Sequence, residues 1–325
     1  MYETFFGLQE LPFTLTPNTH FFLKSDTHQQ GLEMLLWALK NKEGFLKISG
    51  EVGTGKTLLC RKLLNSLGDE YITAYVPNPH CSAETLYCLI LAELSANQKS
   101  DSLIQNEDSL KSHNGEVHVI ALQKIQTLLL NFAQQKKQVV LVIDEAQSMP
   151  EDTIEALRLL TNLETESEKL LQVVLFGQPE LDQMLSQKNL RQLQQRISFQ
   201  HKIKPLDRES IEQYISHRMI LAGYRGGRLF DAKSIALLAQ ASKGIPRVVN
   251  ILCHKALMLA FGEGKKQVNK KHMTAAIKDT ASAALPWWKR PGWKKLSRQA
   301  SFVLMLSTII FLENGLNIFQ LRNIA

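Results

Sequence analysis

At 325 residues, with 44% hydrophobic and 21% charged content, the chain is long enough for two packed domains and too apolar to be read as disordered. A net charge of +7 would suit nucleic acid or an anionic membrane surface but selects neither. The scattered cysteines Cys60, Cys81, Cys88 and Cys253 form no CxxC pair, which argues against a disulfide framework or a zinc site and for a reducing compartment.

The N-terminal MYETFFGLQELPF has no basic region followed by an apolar core, so it does not read as a secretory signal, and the bulk of the chain is expected in the cytoplasm. Over residues 27–41, Leu32, Leu35, Leu36 and Leu39 recur at helical spacing. GFLKIS (44–49) then reads as a buried strand, GEVGTGKT (Gly50 to Thr57) as a glycine loop, and Leu58, Leu59, Leu63 and Leu64 resume the helical period. YITAYVP (71–77) predicts a second strand and 82–95 a helix. The polar stretch 96–118 reads as an extended surface loop.

QVVLVID (138–144) and LLQVVLF (170–176) are further apolar strands, with helical patterns between them. Continuous apolar strands alternating with helices predict an α/β fold: a parallel sheet covered by helices on both faces. ISFQHKI (197–203) is also strand-like. From Leu206 the strands stop, and helices near 207–222, 231–241, 246–262 and 270–280 predict a small all-helical lid domain. The expected division is 1–205, 206–284 and a tail, 285–325. In the tail PWWKRPGWKKLSR places Trp287, Trp288 and Trp293 among five basic residues, and ASFVLMLSTIIFL follows uncharged until Glu313. Aromatic and basic residues beside an apolar run predict membrane contact on the cytoplasmic side; a helix docked on the protein or a partner is the alternative.

Gly50, Gly55, Lys56 and Thr57 satisfy GxxxxGK[ST] in a strand-to-helix context. Glycines let backbone N–H groups turn inward around phosphate oxygens, and the helix offers its positive end to the same anion. The predicted nucleotide loop is Gly50, Glu51, Val52, Gly53, Thr54, Gly55, Lys56, Thr57 and Leu58, with Lys56 for the β- and γ-phosphates and Thr57 as a Mg²⁺ ligand. At the end of VVLVIDEAQ, Asp144 is the second expected Mg²⁺ residue and Glu145 the base that orients and deprotonates water. Gln178, after the fourth strand, is read either as a contact between γ-phosphate and water or as a cap of the next helix.

Arg191 and Arg196 are candidates for an arginine supplied to a neighbouring subunit, with Arg196 favoured because QRI leads into a strand; a surface ion pair is the alternative for either. Arg247, in the first turn of a helix opened by Pro246, is expected at the phosphates when a lid closes, or as plain helix-start decoration. His28 is read as an adenine contact or as a capping or surface residue. No histidine cluster has metal-ligand spacing, so Mg²⁺ is the one metal expected.

The quoted motifs together resemble AAA+ ATPases. More narrowly, FFGLQELPFTLTPNTHFF, GEVGTGKT, VVLVIDEAQ, LFGQPEL, LRQLQQRI and GIPRVVN resemble, in this order over about residues 1–280, the ExeA/GspA family of secretion ATPases and its MSHA-type pilus-biogenesis relatives. That resemblance implies an ATPase with Walker A at Gly50 to Thr57, Walker B at Asp144 and Glu145, sensor 1 at Gln178, a finger at Arg196 and sensor 2 at Arg247. It implies ATP and Mg²⁺ as ligands, a homo-oligomeric ring, and partners among pilus or secretion assembly proteins at the inner membrane. The chain departs in ending at Ala325 without a periplasmic peptidoglycan-binding region, so direct cell-wall binding is not expected, and in carrying Gln rather than Asn at sensor 1. Two rival classes are a DNA-associated AAA+ regulator, disfavoured because no winged-helix or zinc module follows the lid, and an ATP-binding switch without significant turnover.

Overall fold

Strands that are apolar on both faces must be sandwiched between helical layers, and the computed structural model shows this arrangement. It describes residues 2–16, 18–23, 25–97, 116–164 and 169–283. The elements are α1 (Tyr2–Phe6), α2 (Asp26–Lys40), β1 (Phe45–Gly50), α3 (Lys56–Leu64), β2 (Tyr71–Val76), α4 (Ala83–Ala96), α5 (Glu116–Gln134), β3 (Gln138–Ile143), α6 (Glu151–Leu160), β4 (Leu171–Gly177), α7 (Pro179–Leu185), α8 (Arg191–Arg196) and β5 (Phe199–Ile203). Four helices follow: α9 (Arg208–Leu221), α10 (Ala232–Ser242), α11 (Pro246–Gly262) and α12 (Lys270–Lys278).

The five strands pair in parallel in the order β2-β3-β4-β1-β5. Alternate residues of β1, β2, β3 and β4 feed opposite cores, while the edge strand β5 exposes Gln200 and Lys202. Val139, Leu141 and Ile143 pack with α4, α5 and α6 through Leu86, Ile125 and Ile154, whereas Val140 and Val142 pack with α2 and α3 through Leu35 and Leu59. Because β4 lies between β1 and β3, the C-terminal ends of these three strands adjoin, with Ser49 opposite Gly177 and Ile143 opposite Leu175. An open parallel sheet places ligands at such strand ends.

Two sequence expectations are corrected. α5 begins at Glu116, inside the stretch expected as loop to 118; residues 98–115 of that stretch lie outside the described residues. The first 21 residues, grouped by sequence with the sheet, instead supply Tyr2, Phe6, Leu8, Phe13 and Phe21 to the core of the helices after Leu206. The reason is a buried polar lock beside the apolar contacts. Arg218 of α9 donates from Nε to the Pro12 carbonyl (2.5 Å) and from Nη1 to the Tyr214 hydroxyl (2.7 Å), and its guanidinium lies 4.7 Å from the centre of the Phe21 ring. Tyr214 in turn donates to Asn250 Oδ1 (3.0 Å), whose amide donates to the Thr14 carbonyl (3.2 Å). Each buried polar atom of this chain of bonds has a partner, so the strap formed by residues 2–23 is tied to α9 and α11. The tail from residue 284, with the predicted membrane contact, lies outside the described residues; among these no helix is long and apolar enough to cross a membrane.

Candidate active site

The loop from β1 into α3 is built around two glycines at positive φ, Gly53 at +79° and Gly55 at +99°. Gly55 precedes α3 as its N-cap and offers no side-chain cap, so the first turn of the helix is left without a side-chain acceptor, as an anion-binding helix end requires. Glu51 and Val52 form the exposed tip of the loop, and Thr54 is fully buried, donating from its hydroxyl to the Glu51 carbonyl (2.8 Å). Lys56 is only 5% exposed, and its Nζ donates to the carbonyls of Gly50 (2.8 Å) and Glu51 (3.1 Å). Burial lowers its pKa, and the nearby carboxylates, Glu145 first and then Asp144, oppose that shift. An ammonium held by neutral carbonyls beside uncapped N–H groups fits a polyphosphate chain.

Asp144 is 2% exposed at the end of β3. Desolvation raises its pKa, against hydrogen bonds from the Thr57 hydroxyl and the Glu145 N–H and against the charge of Lys56. A buried carboxylate bonded to a threonine hydroxyl is a donor set of the hard oxygen type that Mg²⁺ takes through one or two protein groups plus phosphates, so Thr57 and Asp144 fit that ion. Glu145 follows in the left-handed region (φ +50°) and leads into the single 3-10 turn Ala146–Ser148. Gln178, at the N-cap of α7, makes no side-chain cap bond. Its Nε2 donates instead to Glu145 Oε2 (2.9 Å), so the geometry departs from the capping alternative.

The helical part after Leu206 meets the loop through backbone. The Arg247 N–H donates to the Gly53 carbonyl (3.2 Å), and a Cβ on Gly53 would stand 2.7 Å from Arg247 Cβ. The Arg247 side chain is exposed at this junction. Arg196 is not brought to the loop within this chain: its Nη1 donates to Thr161 Oγ1 (2.9 Å) beyond α6, and Arg191 is exposed at the start of α8.

His28 is buried rather than at the surface. Its Nε2 meets the Thr54 carbonyl (2.9 Å), which can only accept, so Nε2 carries the proton and Nδ1 accepts from Ser25 Oγ (2.6 Å); burial lowers its pKa. The ring thereby fastens the strap to the loop and lines a small cavity. Phe21, Phe22 and Leu23 of the strap, Leu58 beside the loop, and Leu206, Tyr214 and Pro246 of the helical part form its walls. This apolar slot lies directly beside the loop. His28 and the loop residues were named from the sequence; the walls from the strap and the helical part were missed because they come from separate segments. The other missed residue is Gln147, whose amide touches both Glu145 and Gln178. Among the described residues no group of histidine, cysteine and carboxylate side chains has the makings of a further metal site.

Residues 39–185 match a family model described as an AAA domain. The chain is 40% identical over 269 residues to General secretion pathway protein A of Aeromonas hydrophila, a match that covers 82% of this chain and 46% of that protein. The chain thus spans about half the length of the curated relative it matches. Among solved structures it is similar to the Aeropyrum pernix ORC2 protein in its ADPNP and ADP complexes (TM-score 0.57, 16% identity, 83% of this chain and 73% of that one). It is also similar to the Aeropyrum pernix ORC1 protein in complex with DNA (TM-score 0.55, 18% identity, 82% and 69%). At such identities the likeness is one of fold, the P-loop AAA sheet with its helices.

Proposed function

We propose that this chain, which carries an AAA domain and is related to the ExeA/GspA group through its likeness to General secretion pathway protein A, is a Mg²⁺-dependent ATPase. The observation that carries the reading is the convergence of three strand ends on one point: the phosphate loop after β1, Gln178 after β4, and Asp144 with Glu145 after β3. The strap and helical lid hold the base in the slot around His28 and Tyr214. Lys56 releases the loop carbonyls to meet the β- and γ-phosphates; Thr57 and Asp144 would hold Mg²⁺, which would neutralise charge on the phosphate oxygens. Glu145 orients a water and takes its proton as the water oxygen bonds to the γ-phosphorus; the bond to the bridging oxygen breaks and ADP leaves with that electron pair. Arg247 acts from the lid, and Arg196 reaches the site of a neighbouring copy in a homo-oligomeric ring.

The cellular role that the relationship supports is assembly of a type II secretion or MSHA-like type IV pilus apparatus, with partners in that apparatus, at the cytoplasmic face of the inner membrane. The tail from residue 285 supplies membrane contact. Glu145→Gln tests the reading: the variant is expected to keep Mg²⁺-ATP binding and lose turnover, and undiminished turnover would remove Glu145 as the base. Cells carrying the variant in place of the native chain should lack assembled pili or secreted protein. Specific retention of duplex DNA by the purified protein, with secretion and piliation intact, would overturn that role in favour of a DNA-associated one.

A further inference from the structure

Glu145 is the one residue between Asp144 and the 3-10 turn, and its left-handed backbone (φ +50°) aims its side chain. Such a conformation is unfavourable for a non-glycine residue and persists only where surrounding bonds enforce it. The bonds are present: the Glu145 N–H donates to Asp144 Oδ1 (2.9 Å), and its carbonyl accepts from the Ser148 N–H (2.9 Å) and hydroxyl (2.8 Å). The carboxylate is fixed separately, by two amides. Gln147 Oε1 accepts from the main-chain N–H of Gln178 (2.9 Å), which forces its amide nitrogen toward Glu145, where it donates to Oε2 (2.5 Å). Gln178 Nε2 donates to the same oxygen (2.9 Å). Both donors therefore end on Oε2, and among the described residues no hydrogen bond reaches Oε1.

We infer that Gln147 is a positioning residue for hydrolysis, holding Glu145 by one oxygen so that the other is presented to the attacking water, and tying that orientation to the end of β4 through Gln178. The inference rests on the ATPase reading above. Gln147 does not touch the substrate; it closes a ring of three side chains spanning β3 and β4. Gln178 supplies two sides of that ring, its N–H anchoring Gln147 and its amide sharing Oε2, so any shift of β4 against β3 is transmitted to the carboxylate. A loose carboxylate at the same place would spend most of its time with neither oxygen aligned on the water.

The test compares Gln147→Met, which keeps length and removes both hydrogen bonds, and Gln147→Glu, which replaces the donor by a second carboxylate. The full-length chain is assayed for steady-state kcat and KM, for Mg²⁺-ATP affinity with a fluorescent analogue, and for Tm. Loss of a hydrogen bond to a charged group predicts kcat lower by about 10- to 100-fold in Gln147→Met and at least as low in Gln147→Glu, with affinity and KM within about twofold of the native chain. Gln147→Asn, which keeps the amide on a shorter stem, should recover part of the rate. An unchanged kcat overturns the inference, and so does an affinity that falls as far as kcat, which would mark a structural role. A raised kcat would show that the amides park Glu145 away from the water and would also overturn it. Failure of the ATPase reading is seen independently, as absence of turnover in the native chain.

Discussion

The contact between the phosphate loop and the lid can be broken at a single atom. Gly53 sits at φ +79°, where an alanine costs about 1–2 kcal/mol in backbone strain. Its new Cβ would lie 2.7 Å from Arg247 Cβ, 3.2 Å from Ile245 Cγ2 and 3.3 Å from Arg247 Cδ. Arg247 Cβ is anchored to the first turn of α11, so relief requires the helix to back away and gives up the bond from its N–H to the Gly53 carbonyl. Overpacking of this kind adds about 1–3 kcal/mol. Gly264→Ala is the control, because Gly264 has φ +67° with nothing within 4 Å of the added atom and carries the strain alone. At about 2–4 °C per kcal/mol, the Gly53 variant should melt roughly 5–15 °C below the native chain, and the control only a few degrees below. With the lid displaced, ATP affinity measured by calorimetry should fall by about tenfold or more in the Gly53 variant, the equivalent of one lost charged contact, and stay unchanged in the control. Equal melting temperatures and equal affinities for the two variants would refute the docking of lid on loop.

Three further outcomes follow from the site. Burial raises the Asp144 pKa in the fold above its unfolded value, so the folded state binds the proton more tightly and loses stability as pH rises through that interval. At neutral pH Asp144→Asn should therefore raise the Tm of the nucleotide-free protein while removing the Mg²⁺-dependent part of its ATP affinity; a lowered Tm would contradict the sign. Tyr214→Phe deletes the hydroxyl that links Arg218 to Asn250 and should weaken ATP several-fold without altering affinity for inorganic tripolyphosphate, since the strap closes the base slot and not the phosphate loop. If Arg196 serves a neighbouring copy, specific ATPase activity should rise with protein concentration and Arg196→Ala should abolish that rise; a rate independent of concentration would remove the assignment.

What was legible in the sequence is what is contiguous in it. VVLVI and VVLF carry no polar residue to face solvent, so a doubly covered sheet follows from the runs alone, and the β1, loop and α3 unit occupies consecutive residues. The helix starts near 207, 231 and 270 were also read locally, and the structure shows Asp207, Asp231 and Asn269 there, each accepting from an N–H in the first turn of its helix. Of the slot beside the loop, His28 and Leu58 were named from the sequence, but Phe21 and Tyr214 become their neighbours only after the strap crosses to α9, and nothing in FFGLQELPF signals a preference for the helical core over the sheet. Gln147 was invisible for a related reason. A glutamine in a 3-10 turn has no pattern of its own, and its meaning lies in two partners, one of them 31 residues away on the next strand end.

The most direct test of the account is titration of Mg²⁺-ATP into the purified chain beside its Lys56→Ala variant. Native protein should bind the nucleotide saturably, with the metal required, and the variant should lose most of that affinity while remaining folded by circular dichroism. Binding of equal strength by the two proteins, or none by the native chain, would contradict the placement of a triphosphate at the loop between β1 and α3.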